Sequence, residues 1–128
     1  MRILIADDVA AIRKQLSSIL TAQLGLEVCG EAANGKEAVQ KARDLNPDLI
    51  ILDITMPLMN GLEAARTIRG FAPEVPILIL TVHKSRQLIE EAQKMGVRGY
   101  VTKGDAGQTL PLAVAALLGN SSFFPTEF

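Results

Sequence analysis

Five short runs of β-branched and aliphatic residues, each followed by a longer stretch with helical spacing, limit what this chain can fold into. The runs are residues 2–6, 26–32, 48–53, 75–81 and 98–102. Ile50-Ile51-Leu52 and Ile77-Leu78-Ile79-Leu80 are apolar at every position rather than at alternate ones. Strands read this way when helices cover both faces of a parallel sheet. The pattern is βα repeated five times. It predicts an α/β, doubly wound parallel sheet with 49–53 and 76–81 as central strands, and ligands in such sheets bind beyond the carboxyl ends of the strands.

Helix starts and stops follow from local chemistry. Val9, Ile12, Leu16, Ile19 and Leu20 form one apolar stripe, and Ala38, Ala42 and Leu45 form another. Asn34 with Glu37, Asn60 with Glu63 and Asp105 with Gln108 each place a capping residue three positions before Glu or Gln, predicting helices that begin near 35, 61 and 106. Gly70, Gly96 and Gly119 stand where a left-handed residue would end a helix.

With 128 residues, 48% of them apolar, the chain can bury one ordinary core. A net charge of −1 with scattered Lys and Arg supplies no basic stripe, so direct DNA contact by this chain is not expected. The single Cys29 cannot form an internal disulfide and reads as a small core thiol without function. No apolar run reaches the about 18 residues of a membrane span, and the first strand leaves no room for a signal peptide. Together these lead to a cytoplasmic expectation, with no membrane partner.

The carboxyl ends of the predicted strands carry Asp7 and Asp8, Asp53, Thr81 and Lys103. Singly each has an ordinary explanation: a turn and N-cap pair, a β-branched strand residue, a solvated loop charge. Jointly they describe a chemistry. Three carboxylates converging on one edge repel unless a cation neutralises them, and hard oxygen ligands favour Mg2+. Lys103 and Thr81 add a fixed positive charge and a hydroxyl suited to a dianionic phosphoryl group beside the metal. The set suits phosphoryl transfer to a carboxylate nucleophile.

In this order the motifs resemble the receiver domains of two-component response regulators, over essentially the whole chain. The resemblance rests on the Asp-Asp pair, Asp53-Ile54-Thr55-Met56-Pro57 leading to Gly61, Thr81, and Gly99-Tyr100-Val101-Thr102-Lys103. Leu80-Thr81-Val82-His83 and Met95-Gly96-Val97-Arg98-Gly99-Tyr100 look most like receivers of the NarL/LuxR type, whose full-length members are usually transcription factors. The resemblance implies a flavodoxin-like (βα)5 fold with strand order 2-1-3-4-5. It implies that Asp53 is the phosphoacceptor, with a sensor histidine kinase as donor. Asp8, Asp53 and the Thr55 backbone carbonyl would hold Mg2+, Asp7 reaching it through water. Lys103 would pair with Asp53 and then with phosphoryl oxygens; Thr81 would donate to them, and Tyr100 would move inward behind Thr81. The chain would catalyse its own Mg2+-dependent phosphorylation and dephosphorylation without being a metabolic enzyme.

Three departures from the family pattern matter. Gly104, not Pro, follows Lys103; Val82 is bulkier than the usual residue after the switch threonine and should narrow access; and His83 and Thr55 occupy positions that tune dephosphorylation. The segment from Leu110 to Leu118 is apolar around its circumference, with Pro111 in its early turns, so one face should lack a core to cover. The resemblance suggests helices one and five as a homodimer seam. Residues 1–119 are expected to form the receiver domain. Residues 120–128, with Phe123, Phe124 and Phe128, would begin a linker to a C-terminal DNA-binding effector domain, their aromatics packing on the receiver or a neighbour. Two rival readings fit the residues less well. A phosphatase of the haloacid dehalogenase type would carry its nucleophile after the first strand, and a phosphorylation-independent receiver acting as a protein-binding module would typically have lost an acidic or lysine position. Nucleotide binding lacks its glycine-rich loop.

Overall fold

The computed structural model describes residues 1–126. Five strands, β1 (Arg2–Ala6), β2 (Glu27–Ala32), β3 (Leu49–Leu52), β4 (Ile77–Thr81) and β5 (Gly99–Thr102), alternate with five helices, α1 (Ala10–Ser18), α2 (Gly35–Leu45), α3 (Gly61–Phe71), α4 (Arg86–Lys94) and α5 (Ala106–Leu118). All pairings are parallel, and the order across the sheet is β2-β1-β3-β4-β5, as expected. Each run ends within two residues of its predicted bounds.

Successive strand residues point to opposite faces, and both faces are buried, which explains the unbroken apolar runs. Ile50, Leu52 and Ile79 join Ala38, Ala64, Ile68 and Ile89 under α2, α3 and α4. Ile51, Leu78 and Leu80 join Leu16, Leu110 and Leu117 under α1 and α5. Cys29 is half-buried, its thiol donating to the Ile3 carbonyl, and burial pushes that thiol up in pKa, away from reactivity. No helix among the described residues is long and apolar enough to cross a membrane.

Local chemistry sets most of the helix ends. The Asn34 side chain accepts the Glu37 N–H, and Asn60 with Glu63 forms a complete capping box. Asp105 is a correction. A 3-10 turn over Lys103–Asp105 leads into α5, so Asp105 lacks the extended backbone of a cap, and its carboxylate accepts the Thr102 hydroxyl instead. Replacing Asn60 with Ala should therefore cost about 1 kcal/mol in urea denaturation, and Asp105→Ala clearly less.

Three other expectations shift. Gly96 does end α4 with φ 83°, but Gly70 lies inside α3, and after α5 the left-handed residue is Asn120 (φ 69°), not Gly119. Asn46, at φ 48°, ends α2. Val9 is not in the buried stripe; it caps α1 in extended conformation and is 46% exposed. Leu112 on α5 is exposed, as an all-round apolar helix with one uncovered face requires. Beyond α5, Phe123 forms a parallel bridge with Gly99 on the free edge of β5. Phe123 and Phe124 pack on the two cores, while Phe128 lies outside the described residues.

Candidate functional site

Because all five strands run the same way, their carboxyl ends share one edge, and the residues just past β1, β3, β4 and β5 meet there. Asp7 is buried: its N–H donates to the Ala32 carbonyl, and its Oδ1 accepts the Val9 N–H at 2.9 Å. Asp53 is also buried, its N–H donating to the Ala6 carbonyl at 3.0 Å. The Lys103 ammonium reaches between them, 2.7 Å from Asp7 Oδ2 and 3.0 Å from Asp53 Oδ2. Asp8 is exposed beside this pair, and one carboxylate oxygen from each of Asp7, Asp8 and Asp53 lies within 4.8 Å of the others.

Three carboxylates against one ammonium leave two negative charges at the sheet edge, with Asp7 and Asp53 buried and Asp8 exposed. That donor set fits a divalent cation with oxygen ligands. Burial pulls the Lys103 pKa down, but the bonds and charges of Asp7 and Asp53 outweigh it and hold the ammonium above its ordinary value.

Thr81 and Tyr100 meet through His83. The Thr81 hydroxyl accepts the His83 N–H at 3.4 Å, and the Tyr100 hydroxyl donates to the His83 carbonyl at 2.6 Å. The Tyr100 ring is already inside the protein, fully buried. Thr55 Oγ1 lies 3.3 Å from His83 Nε2 across the mouth of the site. Val82 is 68% exposed, and with Val9 and Leu58 it sets apolar side chains on three of the loops around the acids.

Burial, and then the charge of Asp53, pushes the Tyr100 phenol up to about 12. A phenol kept neutral by folding contributes stability that is complete below its unfolded value near 10 and is lost as the pH rises from there toward about 12. Tyr100 is the only tyrosine and there is no tryptophan, so phenolate absorbance reports on it alone. Its midpoint should lie near 12 in the native protein and near 10 in denaturant.

Two supporting residues have roles that only the packing reveals, Arg13 without any sequence signal and Gly61 as part of the motif. Arg13 Nη1 donates to the Asp7 carbonyl at 2.7 Å while its Nε bonds Glu31 at 3.0 Å, tying the acid-bearing turn to α1 and β2. Gly61, at the first position of α3, donates its N–H to the Ile54 carbonyl at 2.8 Å, and a Cβ there would fall inside the carbonyl of Asp53. The motif contains Gly61, but only the packing shows why no larger residue fits.

Residues 3–115 match the model of the response regulator receiver domain. The transcriptional regulatory protein LnrK of Bacillus subtilis is 37% identical over 127 residues, a match covering 99% of this chain and 58% of that protein. The chain thus spans less than two thirds of this curated relative. Among solved structures, a LuxR-family two-component response regulator from an Aurantimonas species superposes with TM-score 0.91 at 33% identity, covering 95% of this chain and 87% of that one. The isolated receiver domain of RcsB from Salmonella enterica serovar Typhimurium, solved with a beryllium trifluoride phosphomimetic, superposes with TM-score 0.89 at 25% identity, covering 98% of this chain and 94% of that one.

Proposed function

The chain belongs to the response regulator receiver domain family, and from that premise we propose that Asp53 accepts a phosphoryl group from a phosphohistidine of a sensor histidine kinase. The observation that carries this reading is the buried Asp53 carboxylate sharing one lysine with Asp7 at the carboxyl edge of the sheet. An Asp53 oxygen attacks phosphorus, the bond from phosphorus to the histidine nitrogen breaks, and the imidazole leaves. Asp8, Asp53 and the Thr55 backbone carbonyl would hold Mg2+, with Asp7 acting through water. When bound, the ion neutralises charge on the transferring phosphoryl group.

The remaining work falls to residues in place. Lys103 turns from the carboxylates toward the phosphoryl oxygens. The Thr81 hydroxyl accepts from His83 and still has its own proton to donate, so it can bond a phosphoryl oxygen without releasing the loop. His83 then relays that bond to Tyr100, whose inward position phosphorylation reinforces. Bonds to charged groups contribute ~1.5–3 kcal/mol each, against ~5.5 kcal/mol for a full population inversion. Two new bonds shift the balance strongly and leave part of it to a partner or a second copy.

The exposed apolar Val9, Leu58 and Val82 around the acids suit a kinase surface presenting its phosphohistidine. A groove of about 670 Å3 between α1 and α5, lined by Ile12, Leu16, Ile19 and Leu80 and reaching Lys103, supports homodimerisation through those helices. We assign residues 1–119 to the receiver, with 120–128 starting a linker. The output is transcriptional, through a C-terminal DNA-binding domain, in a cytoplasmic protein; the name and greater length of LnrK support this.

Incubation with acetyl phosphate and Mg2+ should give one hydroxylamine-labile phosphoryl adduct by intact mass, and EDTA should prevent it. Persistent absence of labelling with this and other phosphodonors would refute the assignment.

A further inference from the structure

The segment after α5 is held to the sheet beside Tyr100. The Phe123 N–H donates to the Arg98 carbonyl, and the Phe123 carbonyl accepts the Tyr100 N–H, both at 2.9 Å. Asn120 turns the chain out of α5, and its Oδ1 accepts from Arg98 Nη1 at 3.2 Å. Phe123 packs on the α1 and α5 core and Phe124 on the core that contains Tyr100. Between them lies a cavity of about 280 Å3, lined by Tyr100, Thr102, Thr109, Phe123 and Phe124.

Tyr100 therefore has two attachments. Its hydroxyl is tied to His83, and through it to Thr81 at the mouth of the acidic site; its backbone N–H is tied to Phe123. We propose that residues 120–126 are a strap whose seating on β5 is linked to the position of the Tyr100 ring, so that a change at Asp53 leaves the domain as a change in that seating. The cavity gives the ring and Phe124 room to rearrange while β5 stays in the sheet. A short segment held by one β-bridge, the Asn120–Arg98 bond at its start and two half-buried aromatics belongs to the low end of local stability, where a modest bias changes its population. Linkage is reciprocal: whatever Tyr100 does to the strap, the strap does to Tyr100. For its trigger alone, the inference rests on Asp53 being the phosphoacceptor.

The test uses the full chain. Fluorescence comes from Tyr100 alone, so acrylamide quenching reads its burial, while hydrogen exchange at the Tyr100 and Phe123 amides reads the strap. Phe124→Ala should lower protection of both amides by about tenfold and raise quenching by about twofold, with the β1 amides of Leu4 and Ile5 unchanged. Lost protection without a change in quenching would overturn the linkage. So would unchanged protection, because Phe124 would then not seat the strap. In a second arm, Mg2+ and beryllium trifluoride are added to the wild type. Altered exchange at Asp53 and His83 should be accompanied by about a tenfold change at Tyr100 and Phe123. A response near Asp53 that does not reach those two amides sinks the strap. No response anywhere sinks the phosphoacceptor reading, and the Phe124→Ala arm then decides the linkage by itself.

Discussion

Asp53→Asn should abolish phosphoryl labelling completely and, in the absence of divalent cations, make the fold more stable rather than less. The loss follows from removing the proposed nucleophile, since Asn offers no carboxylate oxygen to attack phosphorus. The gain follows from the charge count. Asp53 is buried, one of its carboxylate oxygens lies within 4.8 Å of oxygens of Asp7 and Asp8, and it shares the Lys103 ammonium with Asp7 alone. Replacing it with a neutral isostere removes two repulsions and one attraction, and Lys103 keeps its shorter bond to Asp7. The expected gain is about 1 kcal/mol at low salt, shrinking as salt screens the acids. Thermal melts with and without Mg2+ check it, and the variant should respond less to the ion than the wild type. A variant that still accepts label, or that melts well below wild type without cations, contradicts the site as described.

Gly61→Ala should be the most damaging single methyl addition in α3, costing about 3 kcal/mol or roughly 10 °C in melting temperature. The new Cβ would collide with the Asp53 backbone, which a rotamer change cannot relieve. Either α3 lifts from the loop or Asp53 moves, so labelling should slow as well. Gly70 in the same helix supplies the internal comparison, because a Cβ there meets nothing within 4 Å. Gly70→Ala should stabilise by about 0.5–1 kcal/mol, the ordinary gain of alanine over glycine in a helix. Opposite signs from the same substitution nine positions apart would separate close packing from helix propensity.

Those two glycines also mark where sequence reading stops. The apolar runs, the Asn34 and Asn60 caps and the residues at the strand ends were legible because each depends on neighbours in the chain. Strand order was not legible from five strands alone; it came from resemblance, because any order preserves the same local periodicity. Asp105 misled because a capping residue type was present while a 3-10 turn had already taken its backbone. Gly70 misled because a glycine near a helix end looks the same inside the last turn as beyond it. Val9 shares the spacing of the α1 stripe, but it sits one residue outside the helix, where that spacing no longer selects a face. Contacts made across the fold, such as Gly35 against the Met59 carbonyl, have no local pattern to betray them, and the tail's phenylalanines foretold packing but not the bridge to β5.

The sheet order bears on how the chain assembles. β2 and β3 both pair with β1, and β4 and then β5 add outward in the sequence in which they are synthesised. Asp7, Asp8 and Asp53 are therefore brought together by the first three strands, while Lys103, the counter-ion that Asp7 and Asp53 share, arrives only with the last. A partly folded chain lacking β5 would gather the acids without the lysine, and their repulsion would raise its free energy. Docking of β5 reduces that penalty by bringing Lys103 between Asp7 and Asp53 as the sheet is completed. The acidic cluster should thus disfavour a half-built intermediate and make folding more nearly all-or-none, an effect that needs no ligand at the site.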